Sequence, residues 1–318
     1  MSPVPASTRI SRNANRSRPL ALNPRDTDTR ILVPIVRAQA AATLIAVGDA
    51  LAKHRDADGK VLGLVEIRRH PAANMTSQVV HRRRDLLRWI ADQETTRGSS
   101  RGLGILVRVV HNVAMGIREA VYETGSNLVV IEWPGPASPR AGTLASVLEN
   151  LSESPPADLV LVRSPVRSLP MAGDSTKVIV PIRGGPNARL ALRVAAALTE
   201  AWGGEISLLH LINSLDHPDR QARDLESARS TASTVPWASL IEQRTTDVGK
   251  AIVTAAAQGD VIVLGAYSEK GHHPATVRPE LANALSSIEG LLIVVRRAWL
   301  DGEGTVEAGA KETAAPAV

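Results

Sequence analysis

Cysteine and phenylalanine are absent from the 318 residues, and aromatic residues make up only 2%. Without cysteine there is no disulfide, no thiolate metal site and no thiol nucleophile, which excludes several enzyme classes together. Hydrophobic residues still reach 44%, so the cores must be built from Leu, Val, Ile and Ala, a composition suited to parallel sheets covered by helices. Long apolar runs are missing too. The longest, from Ala38 to Ala52, is broken by Gly48 and Asp49 and falls short of the roughly 20 residues that span a bilayer. The chain therefore reads as soluble, and a cytoplasmic location is expected. Acidic residues are missing from the start: none precedes Asp26, whereas Arg9, Arg12, Arg16, Arg18 and Arg25 do. An organelle transit peptide would carry an amphipathic apolar face beside such arginines. None is evident, so this stretch reads as a solvated tail.

The net charge of +5 is unevenly spread. Residues 1–175 hold 23 Lys and Arg against 16 Asp and Glu, and residues 176–318 hold 14 against 16. His81-Arg82-Arg83-Arg84 adds to the basic half. Helical spacing spreads these four side chains around a helix, which describes a solvated face better than a nucleic-acid or lipid surface.

What the sequence does contain is a repeat. ILVPIVRAQAAATLIAVGDALA from Ile31 is answered by VIVPIRGGPNARLALRVAAALTEA from Val178. NLVVIE from Asn127 is answered by DVIVLG from Asp260, and DLVLVR from Asp158 by LLIVVR from Leu291. The opening strands lie 147 residues apart and the later ones 133, so the second copy is shorter, mostly between its second and third strands. A period this long indicates a duplicated domain and not a solenoid, whose repeats run to about 20–50 residues. The length accommodates two domains, each with its own core.

Each copy alternates five β-like runs with helix-like ones, the pattern of a parallel sheet with helices on both faces. The expected strands lie near 31–36, 60–67, 103–110, 127–132 and 158–163, then near 177–182, 204–212, 238–245, 260–265 and 290–296. Helices are expected to begin near Gln39, Asn74, Val113 and Thr143, then near Asn187, Asp219, Asp247 and Pro279. The predicted organisation is a basic tail (1–29), a first domain (30–163), a linker rich in Pro and Gly (164–176), a second domain (177–297) and a disordered tail (298–318). All strands are expected to be apolar on both faces. Ligands of open α/β sheets bind at the carboxyl ends of the strands where strand order reverses. The residues to examine are thus Val36-Arg37 and Glu132 to Thr143 in the first copy, and Arg183 to Asn187 and Gly265 to Pro279 in the second.

Both copies resemble the universal stress protein family. The resemblance rests on ILVPI or VIVPI followed by an Ala-rich helix, on HNVAMGIREAV or TDVGKAIVTAA before the fourth strand, and on the closing LVLVR or LIVVR. It covers roughly Arg30 to Arg163 and Lys177 to Arg297. VPIRGGPNARLALRVAAAL in particular is similar to the tandem modules of this family attached to bacterial amino-acid permeases and antiporters. It implies two tandem, doubly wound, five-stranded Rossmann-like lobes of the adenine nucleotide alpha hydrolase type, paired within the chain through their last strands. That pairing would also cover a bare sheet edge, which physical reasoning favours independently.

Nucleotide-binding members of this family carry a Gly-x-x-Gly-x9-Gly-Ser/Thr loop after the fourth strand, whose N–H groups hold phosphates, and an Asp after the first. Neither copy keeps the set. In the second, Gly265 matches the first glycine, Ser268 replaces the second, and Arg278-Pro279 stand at the closing pair; Pro279 removes an N–H. Arg183 stands where the Asp would be. Arg183, Arg278, His272 and His273 form an alternative basic site for a phosphate or carboxylate. In the first copy Glu132 replaces the first glycine, Gly135 matches the second, and Gly142-Thr143 arrive three residues early on a loop stiffened by Pro134, Pro136 and Pro139.

Weaker patterns carry little. Gly102-Leu103-Gly104 precedes a strand and lacks the third glycine of a dinucleotide fingerprint. His272-His273 have no other metal ligand placed by sequence. Trp133 and Trp202 read as packing residues. No catalytic constellation is expected, so the leading reading is a non-enzymatic stress-response or regulatory module with degenerate sites, no cofactor, and a protein partner of the membrane-transporter kind. The alternative is an ATP-binding protein or slow ATPase using Gly135, Gly142 and Thr143. A third, binding of nucleic acid or a membrane surface through the basic tail and helix, would show as affinity falling steeply with salt.

Overall fold

The computed structural model describes residues 29–55, 57–67, 103–135, 142–166, 169–170, 175–183, 186–257, 259–266 and 279–298, together with six helical positions between 81 and 92. The first half contributes strands β1 (Arg30–Ile35), β2 (Asp58–Glu66), β3 (Gly104–Val110), β4 (Leu128–Glu132) and β5 (Asp158–Arg163), with helices α1 (Ala38–Arg55), α2 (Val113–Thr124) and α3 (Gly142–Glu153). The second contributes β6 (Thr176–Pro181), β7 (Gly204–Asn213), β8 (Ser239–Thr245), β9 (Val261–Gly265) and β10 (Leu291–Arg296), with α4 (Pro186–Trp202), α5 (Pro218–Ala232), α6 (Val248–Ala256) and α7 (Pro279–Ser286). β6 opens on Thr176, the last residue of the expected linker, and the expected helix start at Asn74 lies outside the described residues.

All ten strands belong to one sheet, ordered β3-β2-β1-β4-β5-β10-β9-β6-β7-β8. Each half is parallel and doubly wound, and the halves meet at one antiparallel pairing of β5 with β10. Leu161 there lies opposite Val294, its own equivalent in the repeat. The join is therefore centred on a local two-fold axis, as the interface of two identical subunits would be. Alternation along the joined strands sends Leu159, Leu161, Leu292 and Val294 to one face and Val160, Val162, Ile293 and Val295 to the other. One core lies under α1 and α4, the other under α2, α3, α6 and α7, and both run across the join.

Local chemistry repeats with the sequence. Asn112 caps α2 by accepting the N–H of Met115, and Asp247 caps α6 by accepting that of Lys250, which satisfies an otherwise orphaned helix donor. Asn127 accepts the N–H of Arg30 at 3.0 Å, and Asp260 that of Lys177 at 2.9 Å. Arg163 crosses the join, donating to the carbonyls of Leu285 (2.7 Å) and Ile288 beyond α7, where a cation offsets the negative end of the helix. Burial lowers the pKa of both Arg163 and its repeat equivalent Arg296. β7 opens at Gly204, with φ of 123° and a position where a Cβ would lie 1.8 Å from the Thr176 carbonyl oxygen.

The expectation that every strand is apolar on both faces fails at β8, SLIEQRT, where Glu242, Gln243 and Arg244 follow one another. β3 and β8 have one neighbour each, and Ile105, Val109 and Ile241 are exposed. Trp133 and Trp202 are buried packing residues, as the sequence implied.

Candidate functional site

The reversal of strand order falls between β1 and β4 in the first half and between β6 and β9 in the second. At both places the strands part early. β1 pairs with β4 only through Ile31 with Leu128 and Leu32 with Val129, and β6 with β9 only through Val178 with Val261 and Ile179 with Ile262. Beyond those pairs the carboxyl ends diverge, opening the crevice in which doubly wound sheets hold ligands.

In the first crevice Arg37, just past β1, forms an ion pair with Glu132, the last residue of β4. Arg37 Nε donates to Glu132 Oε2 at 2.9 Å and a terminal guanidinium nitrogen to Oε1, the two-point geometry that makes arginine–carboxylate pairs strong. The Glu132 side chain is only 9% exposed and that of Arg37 32%. The pair raises the Arg37 pKa, chiefly through the hydrogen bond, with burial opposing and the charge of Glu132 adding. At this point the crevice presents a carboxylate paired to a guanidinium, where the resemblance would place a bare glycine.

Gly135, two residues beyond Trp133, has φ of 95°, and a Cβ there would lie 3.5 Å from Arg163 Cδ. Glycine is suited to that conformation. Gly142 and Thr143 are the first two residues of α3. The loop between them and Gly135, residues 136–141, lies outside the described residues.

The second crevice is closed differently. Asn187, in the first turn of α4, donates from Nδ2 to the Ala266 carbonyl at 2.8 Å and accepts the Arg297 N–H on Oδ1 at 2.8 Å. One amide thereby ties the helix to the residues following β9 and β10. Gly265 ends β9 beneath it, where a Cβ would stand 3.0 Å from that of Asn187. Arg183, after β6, turns to the far side of the crevice: Nε donates to Asp224 at 2.6 Å and a terminal nitrogen to Asp216 at 3.2 Å. Two carboxylates offset its one positive charge, so the local field does not favour an anion. Ser268, Arg278, His272 and His273 lie outside the described residues. The sequence-derived candidates thus divide between two crevices, with Gly135, Gly142 and Thr143 in one half and Arg183 and Gly265 in the other.

Asp216, Asp224 and His210 had no sequence signal. The two aspartates follow Arg183 by 33 and 41 residues, on or before a helix packed on β7, and nothing in their spacing announces the contact. His210 is buried at 1% exposure, with Nδ1 3.1 Å from the Ile182 carbonyl. That carbonyl only accepts, so Nδ1 donates to it, and Nε2 has no hydrogen-bond partner among the described residues. Among the described residues, no three His, Cys, Asp or Glu side chains are placed to hold a metal, and no helix is long and apolar enough to cross a membrane.

Removing Arg37 has an asymmetric cost. Arg37→Ala strands a buried carboxylate and is expected to destabilise the protein by about 2 kcal/mol. Glu132→Ala leaves a one-third-exposed arginine that regains water, and should cost clearly less. Urea denaturation of the two variants checks the order, and equal losses would argue against a desolvated Glu132.

Comparison with protein-family models returns no match, and no curated protein matches the sequence. Solved structures do match in shape. A universal stress protein from Archaeoglobus fulgidus DSM 4304 superposes with a TM-score of 0.55 at 14% identity, over 85% of this chain and 96% of that one. The cytoplasmic domain of a prokaryotic cation chloride cotransporter gives 0.52 at 13%, over 85% and 96%. A functionally unknown protein from Pseudomonas aeruginosa PAO1 gives 0.53 at 13%, over 85% and 93%. The fold is therefore the Rossmann-like α/β fold that universal stress proteins have, spread here over two halves of one chain.

Proposed function

We propose that this chain is a non-enzymatic stress-response or regulatory module whose two crevices no longer serve nucleotides and which acts through protein contacts, with a membrane transporter as the partner class. The observation that carries this reading is the Arg37–Glu132 ion pair, which spends the opening of the first crevice on an internal contact. The Asn187 bridge and the two carboxylates around Arg183 support the same conclusion for the second. The transporter partner is suggested by the shape shared with a cotransporter's cytoplasmic domain.

The test is purification without added nucleotide, mass spectrometry of whatever is released on denaturation, and calorimetric titration with ATP and magnesium. No adenine nucleotide and no heat of binding are expected. Micromolar affinity, or phosphate release on incubation, would overturn the reading.

A second reading keeps adenine-nucleotide binding in the first half. It is favoured by the positive φ of Gly135 and the opening of α3 at Gly142, since N–H groups at a helix start attract phosphate. On that reading Gly142→Leu abolishes ATP binding with the melting temperature nearly unchanged, and unchanged binding removes the site.

A further inference from the structure

We propose that β8 is a self-association edge, on which a second copy of this chain adds its own β8 antiparallel and joins two ten-stranded sheets about a two-fold axis. β8 ends the sheet with β7 as its one neighbour, and an unpaired strand edge is a template for another strand. Its outward groups follow from the pairing with β7. The Ser214 N–H donates to the Thr245 carbonyl at 2.8 Å. Alternation along the strand then turns the backbone of Ile241, Gln243 and Thr245 toward β7, and leaves the N–H and C=O groups of Leu240, Glu242 and Arg244 on the outer side.

The side chains select the partner. Charges at an edge block pairing when like meets like, but the order Glu242-Gln243-Arg244 is self-complementary. With the axis at Gln243, Glu242 lies opposite Arg244 of the second copy, and Arg244 opposite Glu242 of the second copy. Both are hydrogen-bonded pairs, because these residues carry the outward backbone groups, and opposite charges directly across two strands attract. An axis at Glu242 would set that residue against itself, and one at Ile241 would set it against Leu240. Glu242 already accepts from Arg229 of α5 at 2.9 Å and 3.2 Å, which leaves each carboxylate oxygen a further lone pair. Arg244 is exposed and makes no ion pair among the described residues. β3, the other terminal strand, offers no such match: Arg108 is its one charged residue and is tied to Glu119 and Glu123.

Exposed apolar surface lies at the same edge. Among the described residues of the second half, the large hydrophobic side chains left exposed are Leu215, Trp237 and Ile241. Ile241 belongs to β8, Trp237 comes two residues before it, and Leu215 follows the Ser214 that bonds to Thr245. Antiparallel pairing runs the start of one β8 beside the end of the other. Trp237 of each copy is thereby brought toward the end at which Leu215 of the other lies, and clustered exposed apolar groups of this kind mark contact surfaces.

Sedimentation equilibrium of the full chain tests the proposal. A reversible dimer is expected. Arg244→Glu and Glu242→Arg each set two pairs of like charge across the axis, and each is expected to weaken self-association about tenfold or more, with the circular dichroism spectrum unchanged. An equimolar mixture of the two variants faces acid with base at both positions and is expected to regain the lost association. A chain that stays monomeric at every concentration, variants that associate as the parent does, or a mixture no tighter than its components would overturn the proposal.

Discussion

Residues 1–166 expressed without the second half are expected to form a dimer in solution. Cutting the chain there removes β10 and leaves β5 as a bare edge, with Leu159, Val160, Leu161 and Val162 stripped of their cover on both faces. An unpaired apolar strand at a sheet edge recruits another strand, and here a second β5 is the natural candidate. Because Leu161 already faces its own repeat equivalent, two copies of β5 can pair about the same axis. Light scattering on the eluted fragment should give twice its monomer mass, and Leu161→Arg in the fragment should disperse the dimer. A stable, soluble monomer would mean that the edge is covered some other way and that the join is not an exchangeable interface. In the full chain the same substitution buries an unpaired guanidinium beside Val294. Desolvation on that scale exceeds what one domain's marginal stability tolerates, so little folded protein is expected.

Gly204→Val should be nearly as damaging. A Cβ at that position would stand 1.8 Å from the Thr176 carbonyl oxygen and 2.7 Å from the Thr176 nitrogen, on a residue with φ of 123°. Both obstacles are backbone, so no side chain can turn aside. The start of β7 would have to leave β6, where Thr176 pairs with Gly204. Strain at such a φ together with the lost pairing places the loss at about 4 kcal/mol or more, readable as a drop in the denaturation midpoint or in the yield of folded protein. Gly104→Ala is the control. A Cβ there would meet its nearest atoms at 3.7 Å, and no positive φ is involved. Its effect should stay within about 1 kcal/mol, and a comparable loss at both positions would point to something other than close backbone approach.

Strand positions were legible from sequence because interior parallel strands are continuous apolar runs, and the repeat supplied each reading twice. Five-stranded halves followed from the same evidence, whereas the pairing of DLVLVR with LLIVVR was implied by the resemblance to universal stress proteins and by the need to cover a bare sheet edge. The exposure of β3 was not legible: GILVRVV reads as apolar as ILVPI, and only the strand order shows that it has a neighbour on one side. At the crevices the sequence pointed to Arg37 and Glu132 separately but gave no sign that they touch, since 95 residues separate them. Arg183 was legible as a reversed charge, while the aspartates that hold it were invisible until α5 packed on β7. Ser268 and Arg278 fall outside the described residues, so their part in a site was readable from the sequence alone.

The antiparallel join has a geometric consequence for recognition. Strands of the first half end at the rim of the sheet where those of the second begin. The two crevices therefore open toward opposite poles of the molecule, and each pole combines one half's crevice with the other half's base. A protein gripping either pole would read both repeats at once, and two such proteins would do so without meeting. Fusion of the halves into one chain thus creates two unlike poles where a symmetric pair would present the same pole twice.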